Sequence, residues 1–227
     1  MKNSWKDIWE QRRSDIDRPT HDILFKANGY DGQQSIITPE TINPALLQYE
    51  KIMGVETNDT FYEVGCGAGA VLYYWHMKGY KVSGCDLSEG LINVARKAIP
   101  EGSWEVLEAD RISIKPKYDH VLAFGVFFYF PDYDYAKEVL YRMIMKGKKS
   151  VSVFDIPDLA KKEDSENFRK MYIPDYNKKY KGMSHLYFPK SWWETIGNEL
   201  GLKVNTYDQI IKGYESGSFR YNITISL

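Results

Sequence analysis

Cysteine is scarce in this chain of 227 residues, with Cys66 and Cys85 its only two. Two thiols exclude a disulfide-built scaffold and have no metal-ligand spacing, so a reduced cytosolic pair is expected. Long hydrophobic runs are missing as well. The longest, Val121 to Pro131, is interrupted by Gly125 and falls short of the ~18–20 apolar residues of a membrane span. Residues Met1 to Asp7 lack the apolar core of a secretory signal, so a cytoplasmic protein with no membrane partner is expected. An excess of one charge is also absent, since 30 Lys and Arg face 31 Asp and Glu. Binding to nucleic acid rests on a surplus of phosphate-facing cations, so no nucleic-acid partner is expected. No cluster of His, Asp and Glu has metal-site spacing, and there is neither an internal repeat nor a low-complexity segment.

What the chain does have is a regular alternation of strand-like and helix-like segments. Apolar runs at Thr60–Val64, Lys81–Cys85, Ser103–Glu108, Tyr118–Phe124 and Ser150–Asp155 predict strands. Between them, Gly69–Lys78, Glu89–Ala98 and Asp134–Met145 predict helices. This rhythm predicts a parallel sheet covered on both faces. Tyr118–Phe124 is almost continuously apolar after its start, as a central strand should be. Two final strands, Lys203–Asp208 and Phe219–Ser226, are set to form a hairpin after a helix Ser191–Leu200, capped by Ser191 and ended by Gly201.

The ends of this core carry other material. A helix from about Trp5 to Arg13 puts Trp5 and Trp9 on one face. Ser14 to Thr38 reads as a loop, and Pro39 to Met53 as a helix with Thr38 as its N-cap. The division expected is a helical lid at 1–55, a cofactor-binding α/β core at 56–156, an inserted cap at 157–190, and the last helix and hairpin at 191–227.

The most telling stretch is Phe61-Tyr62-Glu63-Val64-Gly65-Cys66-Gly67-Ala68-Gly69-Ala70, at the end of the first strand. Glycines at alternate positions let the backbone turn sharply and touch a ligand. The helix that follows offers unpaired N–H groups and its positive end. Such a loop is suited to a nucleotide-like cofactor. Its spacing lacks the third-glycine interval of the dinucleotide fingerprint and the Lys-Ser/Thr pair of a Walker loop. Asp86 ends the second strand about twenty residues beyond Gly65, where an acid can accept hydrogen bonds from both ribose hydroxyls.

At Glu63 to Gly69, Asp86 and Glu108-Ala109-Asp110 the chain resembles the class I S-adenosylmethionine-dependent methyltransferases. The resemblance runs from about residue 55 to the C-terminus and is specific only at the cofactor site. It implies an α/β fold: a doubly wound, mostly parallel seven-stranded sheet with a C-terminal antiparallel hairpin. It also implies S-adenosyl-L-methionine as cofactor, S-adenosyl-L-homocysteine as product, and no metal. Glu63, Gly65, Cys66, Gly67, Gly69, Asp86, Leu87, Asp110, Arg111 and Phe124 fall at its cofactor-binding positions.

Methyl transfer from a sulfonium chiefly needs a positioned nucleophile and a dry site, with a general base helping where the acceptor is a hydroxyl. His185 lies in the tyrosine-rich 157–190 segment, where an acceptor would sit, and is the leading candidate base. His21, in the lid, and Asp155, at the C-terminal end of the fifth strand, are the others. His76 and His120 read as structural. The aromatic run Phe124 to Pro131 is a candidate wall for an acceptor pocket. The expected activity is methylation of a hydroxyl on a small molecule such as a sugar, a surface-polysaccharide precursor or a secondary metabolite. N-methylation of a small amine or amide, and a non-catalytic cofactor-binding subunit, stay open. A monomer or homodimer is expected.

Overall fold

A computed structural model describes residues 5–10, 17, 19–32 and 36–227. Helices α1 (Trp5–Glu10), α2 (His21–Ala27) and α3 (Pro39–Met53) lead into β1 (Thr60–Val64), α4 (Ala70–Met77), β2 (Lys81–Asp86), α5 (Glu89–Ala98) and β3 (Ser103–Val106). Then come β4 (Tyr118–Phe124), α6 (Tyr133–Lys146), β5 (Gly147–Pro157), α7 (Lys162–Tyr172), α8 (Tyr176–Lys179), α9 (Lys190–Leu200), β6 (Val204–Asp208) and β7 (Arg220–Ser226). Seven strands form one sheet in the order β3-β2-β1-β4-β5-β7-β6. Only β7 runs antiparallel, to β5 on one side and β6 on the other. The doubly wound sheet with its terminal hairpin is therefore present. No helix among the described residues is long and apolar enough to cross a membrane.

Strand alternation divides the apolar side chains between two layers. Phe61 of β1 enters the layer of α2 to α5 and stacks on Trp75, with ring centroids 4.4 Å apart. Its neighbour Tyr62 enters the opposite layer, with Val139, Leu140 and Met143 of α6 and Trp193 of α9. This reversal at each residue is what lets one strand hold both layers together. The sheet's C-terminal edge, where β1, β2, β4 and β5 end, is left free for loops.

Two expectations need correction. The supposed loop over 14–38 contains α2, whose Leu24 and Phe25 are fully buried. Alpha-helix α3 likewise buries Leu46 and Tyr49, so α2 and α3 both pack into the core. The continuation of α1 to Arg13 lies outside the described residues. Second, Ser191 is not the cap of α9. The helix begins one residue earlier, behind Pro189, which has no N–H to satisfy; Gly201 ends it at φ 67° as expected. The 157–190 segment is tied to the core: Tyr187 and Phe188 are buried and the Phe188 N–H donates to the Pro157 carbonyl at 2.9 Å.

His120 is structural, buried on β4 between Ser150 Oγ and Asp59 Oδ2, each at 2.8 Å. Burial holds its pKa below the ordinary value, although Asp59 pulls it upward. Burial also lowers His21, and lowers His185 further with help from Arg169 and Arg220. A depressed folded pKa means that the unfolded chain binds the proton more readily. The stability these rings contribute is complete above about 6.5, the unfolded value, and is lost as pH falls through the folded values. An NMR titration should find all three imidazoles titrating below about 6.5. A ring that protonates above that would contradict its placement.

Candidate active site

The cofactor loop is built by glycines that other residues could not replace. Gly65 and Gly67 have φ of 73° and 54°. A Cβ on Gly65 would come within 2.5 Å of Val126 Cγ2, and one on Gly67 would overlap the Asn28 amide. The loop is pinned from both sides. The Gly67 N–H donates to Asp86 Oδ2 at 2.8 Å, and the Ala68 N–H donates to Asn28 Oδ1 at 2.7 Å. Asn28 Nδ2 in turn donates to the Cys66 carbonyl at 3.2 Å. Asp86 uses its other oxygen to accept the Ser88 N–H at 2.8 Å. Burial pushes its carboxyl above the usual range, against the backbone N–H groups of Ser88, Gly67 and Leu87.

A cavity of ≈ 1020 Å³ opens over this loop. Gly65, Gly67, Asp86, Leu87, Leu91, Leu107, Glu108 and Ala109 line its cofactor-loop side. Tyr30, Phe124, Gly125 and Val126 lie at the ends of α2 and β4, and Trp5, Trp9, Tyr129, Phe130 and Pro131 form an aromatic wall. Trp5 closes against Tyr129 and Tyr180 at 5.0 and 5.3 Å between ring centroids, and its indole N–H donates to the Ser184 carbonyl at 3.0 Å. Lys178, Lys179 and Lys181 also line it. The volume exceeds what a single drug-sized ligand takes, leaving room for a cofactor and an acceptor together.

Of the residues expected at the cofactor, Gly65, Gly67, Asp86, Leu87 and Phe124 line the cavity. The others lie behind or beside it. Glu63 is buried under the loop, its Oε2 without a partner among the described residues and its pKa raised well above the usual range by burial and by Asp86. Cys66 is fully buried, and Gly69 begins α4 against the Trp104 ring. Asp110 accepts a hydrogen bond from the Tyr135 hydroxyl at 3.2 Å, while Arg111 is exposed. Asn28 and Tyr30 were missed. Asn28-Gly29 is legible in the sequence as a turn, but nothing local shows that its amide reaches a loop 40 residues on.

The candidate bases fare differently. His21 does not line the cavity among the described residues; its Nε2 meets the Ala70 carbonyl at 2.8 Å, tying α2 to α4. The His185 ring packs on Trp5, Phe128 and Tyr129. Its Nδ1 lies 2.9 Å from Arg169 Nη1, and its Nε2 is sealed from solvent with no partner among the described residues. A guanidinium only donates, so Nδ1 holds the lone pair and the neutral ring carries its proton on Nε2. This arrangement presents a donor where a base was expected. Asp155 sits behind Gly125 with φ 63°, fully buried. Its carboxylate accepts from Arg220 Nη1 at 2.9 Å, Tyr214 Oη at 3.1 Å and Gln209 Nε2 at 3.2 Å. Burial raises its pKa against the charge of Arg220 and these hydrogen bonds.

Residues 61–147 match the sequence pattern of a methyltransferase domain. These residues carry a methyltransferase domain, and the sheet around them has the class I methyltransferase fold. No curated protein matches it in sequence. Among solved structures, the plantazolicin methyltransferase BpumL in complex with S-adenosylhomocysteine is similar, with a TM-score of 0.65 at 15% identity, over 90% of this chain and 89% of that one. A methyltransferase from Clostridium acetobutylicum ATCC 824 gives 0.64 at 13%, over 89% and 97%. The magnesium protoporphyrin IX methyltransferase of Synechocystis PCC 6803, with bound S-adenosylmethionine, gives 0.60 at 13%, over 97% and 89%. At these identities the likeness is one of fold. The residues present fit the cofactor: a glycine loop with no side chains between backbone and ligand, an acid at the end of β2, and a cavity beside them.

Proposed function

We propose that this methyltransferase transfers the methyl group of S-adenosylmethionine to a hydroxyl of a small molecule. The observation that carries the reading is the single cavity shared by the cofactor loop and an aromatic chamber. Asp86 and the Gly65 and Gly67 backbone would hold the ribose and the amino-acid portion, and Leu87, Leu91 and Leu107 would face the base. The bound cofactor supplies a methyl group on a positively charged sulfur. The chain's part is to orient the acceptor and keep water out. Trp5, Trp9 and Tyr129 supply the apolar wall, with α1 acting as a lid. Lys178, Lys179 and Lys181 favour an acceptor that carries negative charge, as a phosphorylated sugar precursor does. By their names, the similar structures act on a porphyrin and on plantazolicin, which supports a small-molecule acceptor.

The test is incubation with methyl-deuterated S-adenosylmethionine and a panel of phosphorylated sugars, phenols and small amines, read by mass spectrometry. A deuteromethyl ether is the expected product. A methylated amine would move the reading to N-methylation. Cofactor binding with no transfer to any acceptor would favour a non-catalytic subunit.

A further inference from the structure

We propose that the Tyr30 hydroxyl is the group that meets the acceptor, forming a hydrogen bond with the oxygen or nitrogen that receives the methyl. This rests on the methyltransferase reading and adds a residue and a constraint to it, because a carbon acceptor would leave that hydroxyl unpaired. Three observations converge on Tyr30. It lines the cavity, and its hydroxyl occupies the space that a side chain on Gly125 would fill, at the C-terminal end of β4. That position lies between the cofactor loop, which Val126 touches at Gly65, and the aromatic wall that begins at Tyr129.

Second, the hydroxyl has no hydrogen-bond partner among the described residues, whereas other buried tyrosines are engaged. Tyr214 donates to Asp155 at 3.1 Å, Tyr49 to Gln209 at 2.8 Å and Tyr221 to the Phe188 carbonyl at 3.0 Å. The residue is half-buried and lines the cavity, so a hydroxyl that the protein leaves unengaged there is available to a ligand. Third, the side chain is held in place before anything binds. Its ring meets Phe25 and Phe124 edge-on at 6.0 and 5.9 Å, and its backbone is fixed by the Phe25 carbonyl at 3.0 Å and the Ile37 N–H at 3.1 Å. Such preorganisation is what an orienting contact requires.

Burial, and the carboxylate of Asp155 behind it, hold the Tyr30 pKa well above the usual value, with Arg220 opposing. The group therefore stays a phenol, with a proton to give and lone pairs to receive. By accepting from an acceptor hydroxyl it turns that oxygen's own lone pair toward the methyl group. Tyr30 acts here as an orienting contact, and the proton's destination is not assigned to it.

The acceptor being unidentified, the test uses sinefungin, the analogue in which an amine-bearing carbon replaces the sulfur and its methyl group. Its amine projects along the path of methyl transfer, whereas S-adenosylhomocysteine has nothing there. Calorimetry on wild type and Tyr30→Phe should show sinefungin weakened about tenfold, the scale of one lost hydrogen bond, with S-adenosylhomocysteine unchanged. Equal weakening of both would make Tyr30 a contact to the rest of the cofactor, and no weakening of either would make it a packing residue; each overturns the proposal. If wild type bound neither compound, the cofactor reading itself would fall, a distinct result. Should Tyr30→Phe not fold, a crystal structure of wild type with sinefungin decides. The phenol oxygen must lie within about 3.2 Å of the amine, and a longer separation refutes the contact.

Discussion

Asp86→Ala should raise the Kd for S-adenosylhomocysteine about a hundredfold or more. In the proposed binding mode the carboxylate accepts from both ribose hydroxyls, and charge-assisted hydrogen bonds contribute roughly 1.5–3 kcal/mol each. It also holds the loop itself, through the Gly67 N–H on one oxygen and the Ser88 N–H on the other, both at 2.8 Å. Alanine removes the ligand's acceptors and frees two backbone donors at once. A combined loss of about 3 kcal/mol corresponds to the hundredfold change. Asp86→Asn should rescue little, because an amide must turn its NH2 toward one of those two N–H groups. Calorimetry on both variants checks this. Affinity retained within a few-fold in Asp86→Ala would mean that the ribose is held elsewhere.

The reach of the sequence depended on how local each signal was. Strand β1, helix α5 and strand β4 begin and end where apolar runs and glycines place them, because the buried central strands need continuous apolar residues whatever their neighbours. The glycine loop was equally legible, since positive φ is a property of single residues. Alpha-helix α2 was not. It has only Leu24 and Phe25 as buried anchors within seven residues, and its stability comes from the layer they enter. The acceptor end of the site was the least legible. His185 looks free in the sequence, but Arg169 lies one helix earlier and occupies its Nδ1. Tyr30 looks like a turn residue until β4 and α2 are brought together. In both cases the deciding contact joins segments whose separation in sequence carries no pattern.

Removing either member of the Asp155–Arg220 pair should cost more stability than any surface substitution, about 3–5 kcal/mol. The two side chains are 1% and 10% exposed, and Arg220 Nη1 lies 2.9 Å from Oδ2 and 3.2 Å from the Asp155 carbonyl. Arg220→Met keeps the aliphatic bulk beside Phe128 and leaves a buried carboxylate with only the neutral donors Tyr214 and Gln209. Asp155→Asn is the better-matched partner change, because asparagine tolerates the left-handed backbone at φ 63° almost as well as aspartate does. It isolates the charge and leaves the guanidinium unpaired. Two effects compete at Asp155: burial favours the neutral acid, and the adjoining cation favours the carboxylate. If the cation prevails, the double variant Asp155→Asn, Arg220→Met should be more stable than the sum of the single losses predicts, since neither charge is then stranded. If burial prevails and the acid is neutral in the folded protein, Arg220→Met alone should cost little and the losses should add. Urea unfolding of the four proteins near neutral pH separates the two outcomes. The geometry favours coupling, because the guanidinium grips the carboxylate and the carbonyl of one residue, at the strand end that supports Gly125 and Tyr30.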